Sequence, residues 1–267
     1  MKTKMNTQSI QDWAVILNAA RANVKPVPQL TQTLEFTREQ AYELQEQQMS
    51  MRLAQGEKLI GWKMGLTSEA KRKQMNLDSS LYGFLTDQMQ VKLGNDFNIK
   101  SQIHCKIEPE IAFLIGKDLP SKPNRTQVLE SLIGAAPALE ILDSRYTEFK
   151  YFTMEDVIAD NSSSSHFVIG PFNNGWDKKI HQLDFKNLNL KMKVNGESKQ
   201  IGRTDAISGD PLQSVIELCE LLDQRGKKLK AGMIVLAGAA TAAEELKAGQ
   251  VVSLEMDSMP TIEIKIK

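Results

Sequence analysis

Cysteine and histidine are scarce in this chain, with two cysteines and three histidines among 267 residues. Cys105 and Cys219 cannot build a disulfide framework, and such usage fits a reducing cytoplasm. There is no CxxC pair, and His104, His166 and His181 are scattered, so the ligand spacings of zinc sites are missing. An excess of charge of one sign is lacking too: Lys+Arg and Asp+Glu are both 33. No net field therefore steers the chain to nucleic acid or to an anionic membrane. The longest apolar stretches, such as "GMIVLAGAATAA", fall short of the roughly 20 residues that cross a bilayer. The opening "MKTKMNTQSIQDW" carries no apolar signal-peptide core. No GxSxG elbow is present, and so few histidines speak against a Ser-His-Asp triad.

What is present is a chain long enough for one sizeable core with an appendage. Residues 1–57 read as a helical segment and 58–267 as a strand-rich core. "TQSIQDWAVILNAARAN" carries Ile10, Trp13, Ile16 and Leu17 at helical spacing, and Thr37 with Gln40 forms a capping box before a second helix. "KLIGWKMGL" then changes to period two. "LNLKMKVNGESKQ" predicts a hairpin turning at Asn195-Gly196. "PLQSVIELCELLDQRG" predicts a helix with Pro211 near its start and Gly226 as its stop. "MIVLAGA", "VVSLEM" and "TIEIKIK" read as late strands. The expected class is α+β, a mixed β-sheet core with an N-terminal helical segment.

Four ionisable residues stand out against apolar strands. In "KIEPEIAFLIG", Glu108 and Glu110 share one strand face, roughly 7 Å apart at about 3.4 Å rise per residue. Like charges so placed need water, a cation, or a shared proton. Three readings stay open: a wet edge strand consistent with Pro109, a shared cation, or an acid/base pair. Glu140 in "PALEILDSRY" lies between Ala138 and Leu142, so it is expected to be buried beside a partner. Three carboxylates could together hold Mg²⁺ or Mn²⁺, which prefer oxygen ligands. Lys63 is the only charge on its strand, flanked on its face by Gly61 and Gly65; it either snorkels or serves a site. The hydroxyl run in "ADNSSSSHFVIG" could cap a turn or bind a carboxylate through Ser163 to Ser165. The bend Gly238-Ala239-Ala240-Thr241 is either a strand exit or a close approach to a bound acid.

"GWKMGLTS", "KIEPEIAFLIG", "PALEILDSRY", "ADNSSSSHFVIG", "DPLQSV" and "AGMIVLAGAATAA" occur together in the order found in one known family. From about residue 10 to the end, the chain resembles the hydratase/decarboxylase relatives of fumarylacetoacetate hydrolase, which include 4-oxalocrotonate decarboxylases and 2-oxopent-4-enoate hydratases. That resemblance implies a mixed β-roll, a Mg²⁺ or Mn²⁺ site and a lyase acting on 2-oxo acids from aromatic ring cleavage. It implies Glu108, Glu110 and Glu140 as metal ligands, Lys63 and Asp78 as catalytic residues, and Leu66, Ser163 and Thr241 at the substrate. It also implies a homo-oligomer, and for decarboxylases an association with a partner hydratase.

Within the family, "GWKMGLTSEAKRKQM" and "DSRYTEFKY" look closer to the decarboxylase branch. The expected reaction is decarboxylation of 4-oxalocrotonate, with hydration of 2-hydroxypenta-2,4-dienoate as the alternative. Hydrolysis of an acylpyruvate lacks an obvious histidine base. A non-catalytic 2-oxo-acid-binding relative is the reading from a different class, and it predicts no turnover to lose on Lys63→Ala. Two departures from the family pattern bear on the pocket and on a late turn. Gly209-Asp210-Pro211 stands where Gly-His-Pro is usual, and Ser258-Met259-Pro260 stands where a Gly-x-Gly turn is usual.

Overall fold

A computed structural model describes residues 2–68, 79–174 and 179–267. The chain starts with β1 (Thr3–Lys4), α1 (Thr7–Ala22), β2 (Leu34–Glu35) and α2 (Arg38–Ala54). Capping boxes open both helices; in the second, Gln40 N–H donates to Thr37 Oγ1 at 3.3 Å and Thr37 N–H to Gln40 Oε1 at 3.0 Å. There follow β3 (Leu59–Gly65), β4 (Leu81–Thr86), β5 (Asp96–Phe97), β6 (Lys106–Ile115), α3 (Arg125–Ser131), β7 (Leu132–Leu142), α4 (Met154–Ala159) and β8 (Ser164–Ile169). The remainder comprises β9 (Asn173–Asn174), β10 (Asn189–Val194), β11 (Glu197–Arg203), α5 (Pro211–Asp223), β12 (Ile234–Ala239), β13 (Glu244–Glu245), β14 (Val251–Met256) and β15 (Ile262–Ile266).

Two mixed sheets carry the core. The larger runs β4-β3-β12-β6-β7-β8, with β13 added to β6 and β9 to β7; the smaller runs β11-β10-β14-β15-β5. The expected α+β class, with helices ahead of a mixed-sheet core, is the observed one. The hairpin between β10 and β11 turns at Asn195 (φ 51°) and Gly196 (φ 80°), both left-handed as a two-residue primed turn requires.

β6 is no edge strand. It lies between β12 and β7, with Ile107, Ile111, Phe113 and Ile115 fully buried on one face and Glu110 and Ala112 fully buried on the other. Pro109 is tolerated because the pairing with β12 loses register between Leu236 and Ala239, next to the ladder position where an N–H is missing. The wet-edge reading of the Glu108–Glu110 pair therefore falls.

Candidate active site

Strand register assembles the acids. In the antiparallel β6–β7 pair Glu108 stands directly opposite Glu140, and Glu110 opposite Ala138. Side chains so opposed lie about 5 Å apart at Cβ. One oxygen from each of Glu108, Glu110 and Glu140 lies within 4.8 Å of the other two. Lys63 reaches the cluster from β3, whose centre is held between Gly83 of β4 and Leu236 of β12. Lys63 is 2% exposed, which ends the snorkelling reading, and its ammonium lies 3.2 Å from Glu140 Oε2.

The flanking glycines serve the packing that holds Lys63. A Cβ on Gly61 would come within 2.1 Å of the Ile234 carbonyl oxygen, and one on Gly65 within 2.7 Å of Ser162 Oγ. They admit neighbouring chain, the close approach that glycine within a strand signals.

Each buried carboxylate has specific donors. Glu140 Oε1 accepts from Ser164 Oγ at 2.8 Å, and Glu110 Oε2 accepts from Gly238 N–H at 2.8 Å. Glu110 Oε1 is buried without a hydrogen-bond partner. Burial, then the nearby Glu140 and Glu108, push the Glu110 carboxyl well above the usual carboxylate range. Burial alone would lower the Lys63 ammonium, but Glu140, Glu108 and Glu110 outweigh it and leave it above its ordinary value. An orphaned buried oxygen within an all-oxygen donor set fits a divalent cation of the Mg²⁺ or Mn²⁺ kind.

Beside the acids lies a cavity of about 140 Å³, lined by Lys63, Leu66, Thr67, Glu108, Ser162 and Ser163 among others. Three of these residues hold left-handed backbone that non-glycine residues rarely adopt: Leu66 (φ 56°), Ser162 (φ 55°) and Ser163 (φ 56°). Such strain costs about 1 kcal/mol or more per residue and persists only where the surroundings over-determine it.

Those surroundings are explicit. Asn161 Oδ1 accepts from Phe84 N–H at 2.8 Å while its Nδ2 donates to Phe84 O at 3.1 Å, clamping the turn to β4. Ser163 N–H donates to Asp160 O at 3.0 Å, and Asp143 N–H donates to Ser163 O at 2.8 Å. Beneath the turn, Arg145 and Asp160 form a fully buried ion pair. Asp160 also accepts from Tyr151 Oη at 2.7 Å and Ser144 Oγ at 3.1 Å, while Arg145 Nη1 donates to Asp143 O at 2.6 Å and Ser164 O at 3.2 Å.

Of the residues singled out in the sequence, Lys63, Glu108, Glu110 and Glu140 converge, and Leu66 and Ser163 line the adjoining cavity. Thr241 does not line it; Ala239 does, and Thr241 lies beyond, where a Cβ on Gly202 would come within 2.5 Å of its Cγ2. Asp78 lies outside the described residues. Ser162 and Thr67 were missed, although the hydroxyl run and the strand exit marked their neighbourhoods. Asp210 stands apart from the cavity: it caps α5 through Leu212 N–H at 2.9 Å and pairs with Arg125 at 2.7 Å. Ser258 takes a left-handed φ of 61° between β14 and β15, supplying the conformation a glycine turn would give.

Comparison with known proteins agrees with this geometry. The chain is 38% identical over 246 residues to a 4-oxalocrotonate decarboxylase of Pseudomonas sp., covering 92% of this chain and 93% of the relative. It is 33% identical to a 2-hydroxyhexa-2,4-dienoate hydratase of Comamonas testosteroni, covering 86% and 87% respectively. The solved 4-oxalocrotonate decarboxylase of Pseudomonas putida G7, complexed with magnesium and adipate, superposes with a TM-score of 0.92 at 31% identity over the whole of both chains. Residues 63–267, from the site lysine to the last residue, match the model of the fumarylacetoacetate (FAA) hydrolase C-terminal family, and the chain belongs to that family.

Proposed function

We propose that this protein is a divalent-metal-dependent carboxy-lyase that converts 4-oxalocrotonate to 2-hydroxypenta-2,4-dienoate. The observation that carries the reading is the convergence of Glu108, Glu110 and Glu140, with the buried Glu110 Oε1 unpartnered among the described residues, beside Lys63 and a small cavity. The 38% identity to a decarboxylase over nearly the full chain supports the choice of substrate.

A divalent cation held by Glu108, Glu110 and Glu140 supplies Lewis-acid polarisation of the 2-oxo acid head. The chain's own residues do the rest. Lys63 places a fixed positive charge beside the cluster, where negative charge develops as the C5–C6 bond breaks and the distal carboxylate leaves as CO₂. The bond's electrons pass into the conjugated dienolate, and a proton delivered to the 2-oxygen completes the dienol. Lys63 is the donor positioned for that transfer. Asp78 has the role of orienting Lys63 or a water. Leu66, Ser162 and Ser163, held in one shape by the turn beneath them, wall the substrate. Thr241, beyond Ala239 and outside the cavity lining, is proposed as a further substrate contact.

A hydratase acting on the dienol is the second reading, favoured by the 33% identity to a hydratase. It would use the same proton-transfer groups. Proton NMR of 4-oxalocrotonate with the protein and Mg²⁺, with and without chelator, separates the two. The expected outcome is chelator-sensitive appearance of 2-hydroxypenta-2,4-dienoate. A six-carbon acid that persists while added dienol is hydrated would transfer the assignment to the hydratase.

The wider setting belongs to the same reading. Residues 1–57 are a helical segment backing the catalytic core 58–267: Gln45 of α2 donates to Tyr82 O and Ile158 O at 3.0 and 3.1 Å, and Gln48 donates to Ala159 O at 2.7 Å. Val15 and Ile16 on α1 are 54% and 38% exposed, which supports a homo-oligomer. Two free, buried cysteines suit a cytoplasmic location. A partner hydratase would collect the unstable dienol.

A further inference from the structure

Behind the acid cluster, α1, α2 and the loop after β7 bring three arginines to one slot: Arg21, Arg52 and Arg145. Two are satisfied in charge. Arg145 is paired with Asp160, and Arg52 donates through Nε to both oxygens of Glu57 at 2.9 Å and through Nη2 to Thr86 Oγ1 at 3.1 Å. Arg21 is different. Its Nε is buried without a hydrogen-bond partner, and among the described residues no carboxylate lies within ion-pair distance of it. Glu57 acts on Arg21 through space but is already held by Arg52 and by the Thr86 hydroxyl. Burial, then Arg52, push the Arg21 guanidinium down to about 10 from its ordinary value. One cation is therefore unmatched there.

We infer that the slot between Arg21, Arg52 and Arg145 is a binding site for a single small monovalent anion, of chloride size. The size follows from the space within the slot, which has room for about one water-sized particle. The charge follows from the one guanidinium left over. The chemistry follows from the donors, since a buried N–H without an acceptor, beside two further guanidiniums, favours an anion over a water that must also donate. Ser164 and Asn161 line the same slot, while Ser164 Oγ donates to Glu140 and Asn161 clamps the strained turn. The anion would thus occupy the back wall of the catalytic site without reaching its cavity. This inference is independent of which 2-oxo acid is turned over.

Two measurements test it. In crystals grown with sodium bromide, an anomalous peak is expected in contact with Arg21 Nε and Arg52; an ordered water there without anomalous signal would overturn the site. In solution, replacing gluconate by chloride at constant ionic strength should raise the melting temperature of the wild-type protein by roughly 2–4 °C. Arg21→Gln should abolish that difference. An equal chloride response in both proteins, or none in the wild type, contradicts the proposal.

Discussion

Two buried charge clusters meet at Ser164, and they are built on opposite plans. On one side Arg145 and Asp160 match charge for charge, and hydroxyls of Ser144 and Tyr151 and backbone carbonyls take up the polar atoms that remain. On the other, Glu108, Glu110 and Glu140 converge beside Lys63, and among the described residues Glu110 keeps an oxygen without a partner. A buried pair with every donor met holds a shape, whereas a buried carboxylate cluster with an acceptor left over holds a place for something else. The balanced cluster fixes the left-handed Ser162–Ser163 wall, and the other is the candidate cation site.

Breaking the balanced side should have the largest effect on folding. Arg145→Ala leaves Asp160 buried and unpaired, and urea unfolding should show a loss of about 3–5 kcal/mol. The matching change on the unbalanced side should act oppositely. In metal-stripped protein Glu110→Gln relieves like-charge repulsion, keeps an acceptor for Gly238 N–H, and should leave stability unchanged or about 1 kcal/mol higher. Lys63→Ala should lower kcat by about 10²–10⁴ while Mg²⁺ is still bound, read by steady-state kinetics and calorimetry.

A pH titration sharpens the contrast from a residue near both clusters. His166, on β8 with Ser164, is pushed down to about 4 by burial, then by Arg52 and Arg21. Between about 4 and its ordinary value the unfolded chain holds the proton and the folded chain does not. Its contribution is therefore complete above the ordinary value and is lost as pH falls through about 4. The loss amounts to up to about 3 kcal/mol. His166→Gln should flatten that part of the acid limb. The smallest effect is expected far from both clusters: Asp210→Ala removes the cap of α5 and should cost about 1 kcal/mol with kcat unchanged.

The unbalanced cluster was half legible in the sequence. Glu108 and Glu110 share a face through the two-residue period, and Glu140 stood out as an acid among apolar neighbours. Their convergence was not legible, because it depends on the register that sets Glu108 opposite Glu140. The resemblance to a family supplied that step. The balanced cluster was invisible: nothing local ties Arg145 to Asp160, and positive φ at Ser162 and Ser163 comes from clamps made by Phe84 and Asp143. The two long N-terminal helices and the Asn195-Gly196 hairpin were readable because caps and turns are local signals. The two-residue strands β1, β2, β5, β9 and β13 are too short to show a period, and β4 and α3 were also overlooked.

Calorimetric titration of Mg²⁺ into metal-stripped wild-type and Glu110→Gln protein, with urea unfolding of both, goes straight to the unpartnered Glu110 oxygen. The expected result is one saturable site per chain in the wild type, lost in the variant, with no loss of stability in the stripped variant. Equal Mg²⁺ binding by both proteins, or a stripped variant several kcal/mol less stable, would contradict it: Glu110 would then be a structural acid, and the cluster would not be a cation site waiting to be filled.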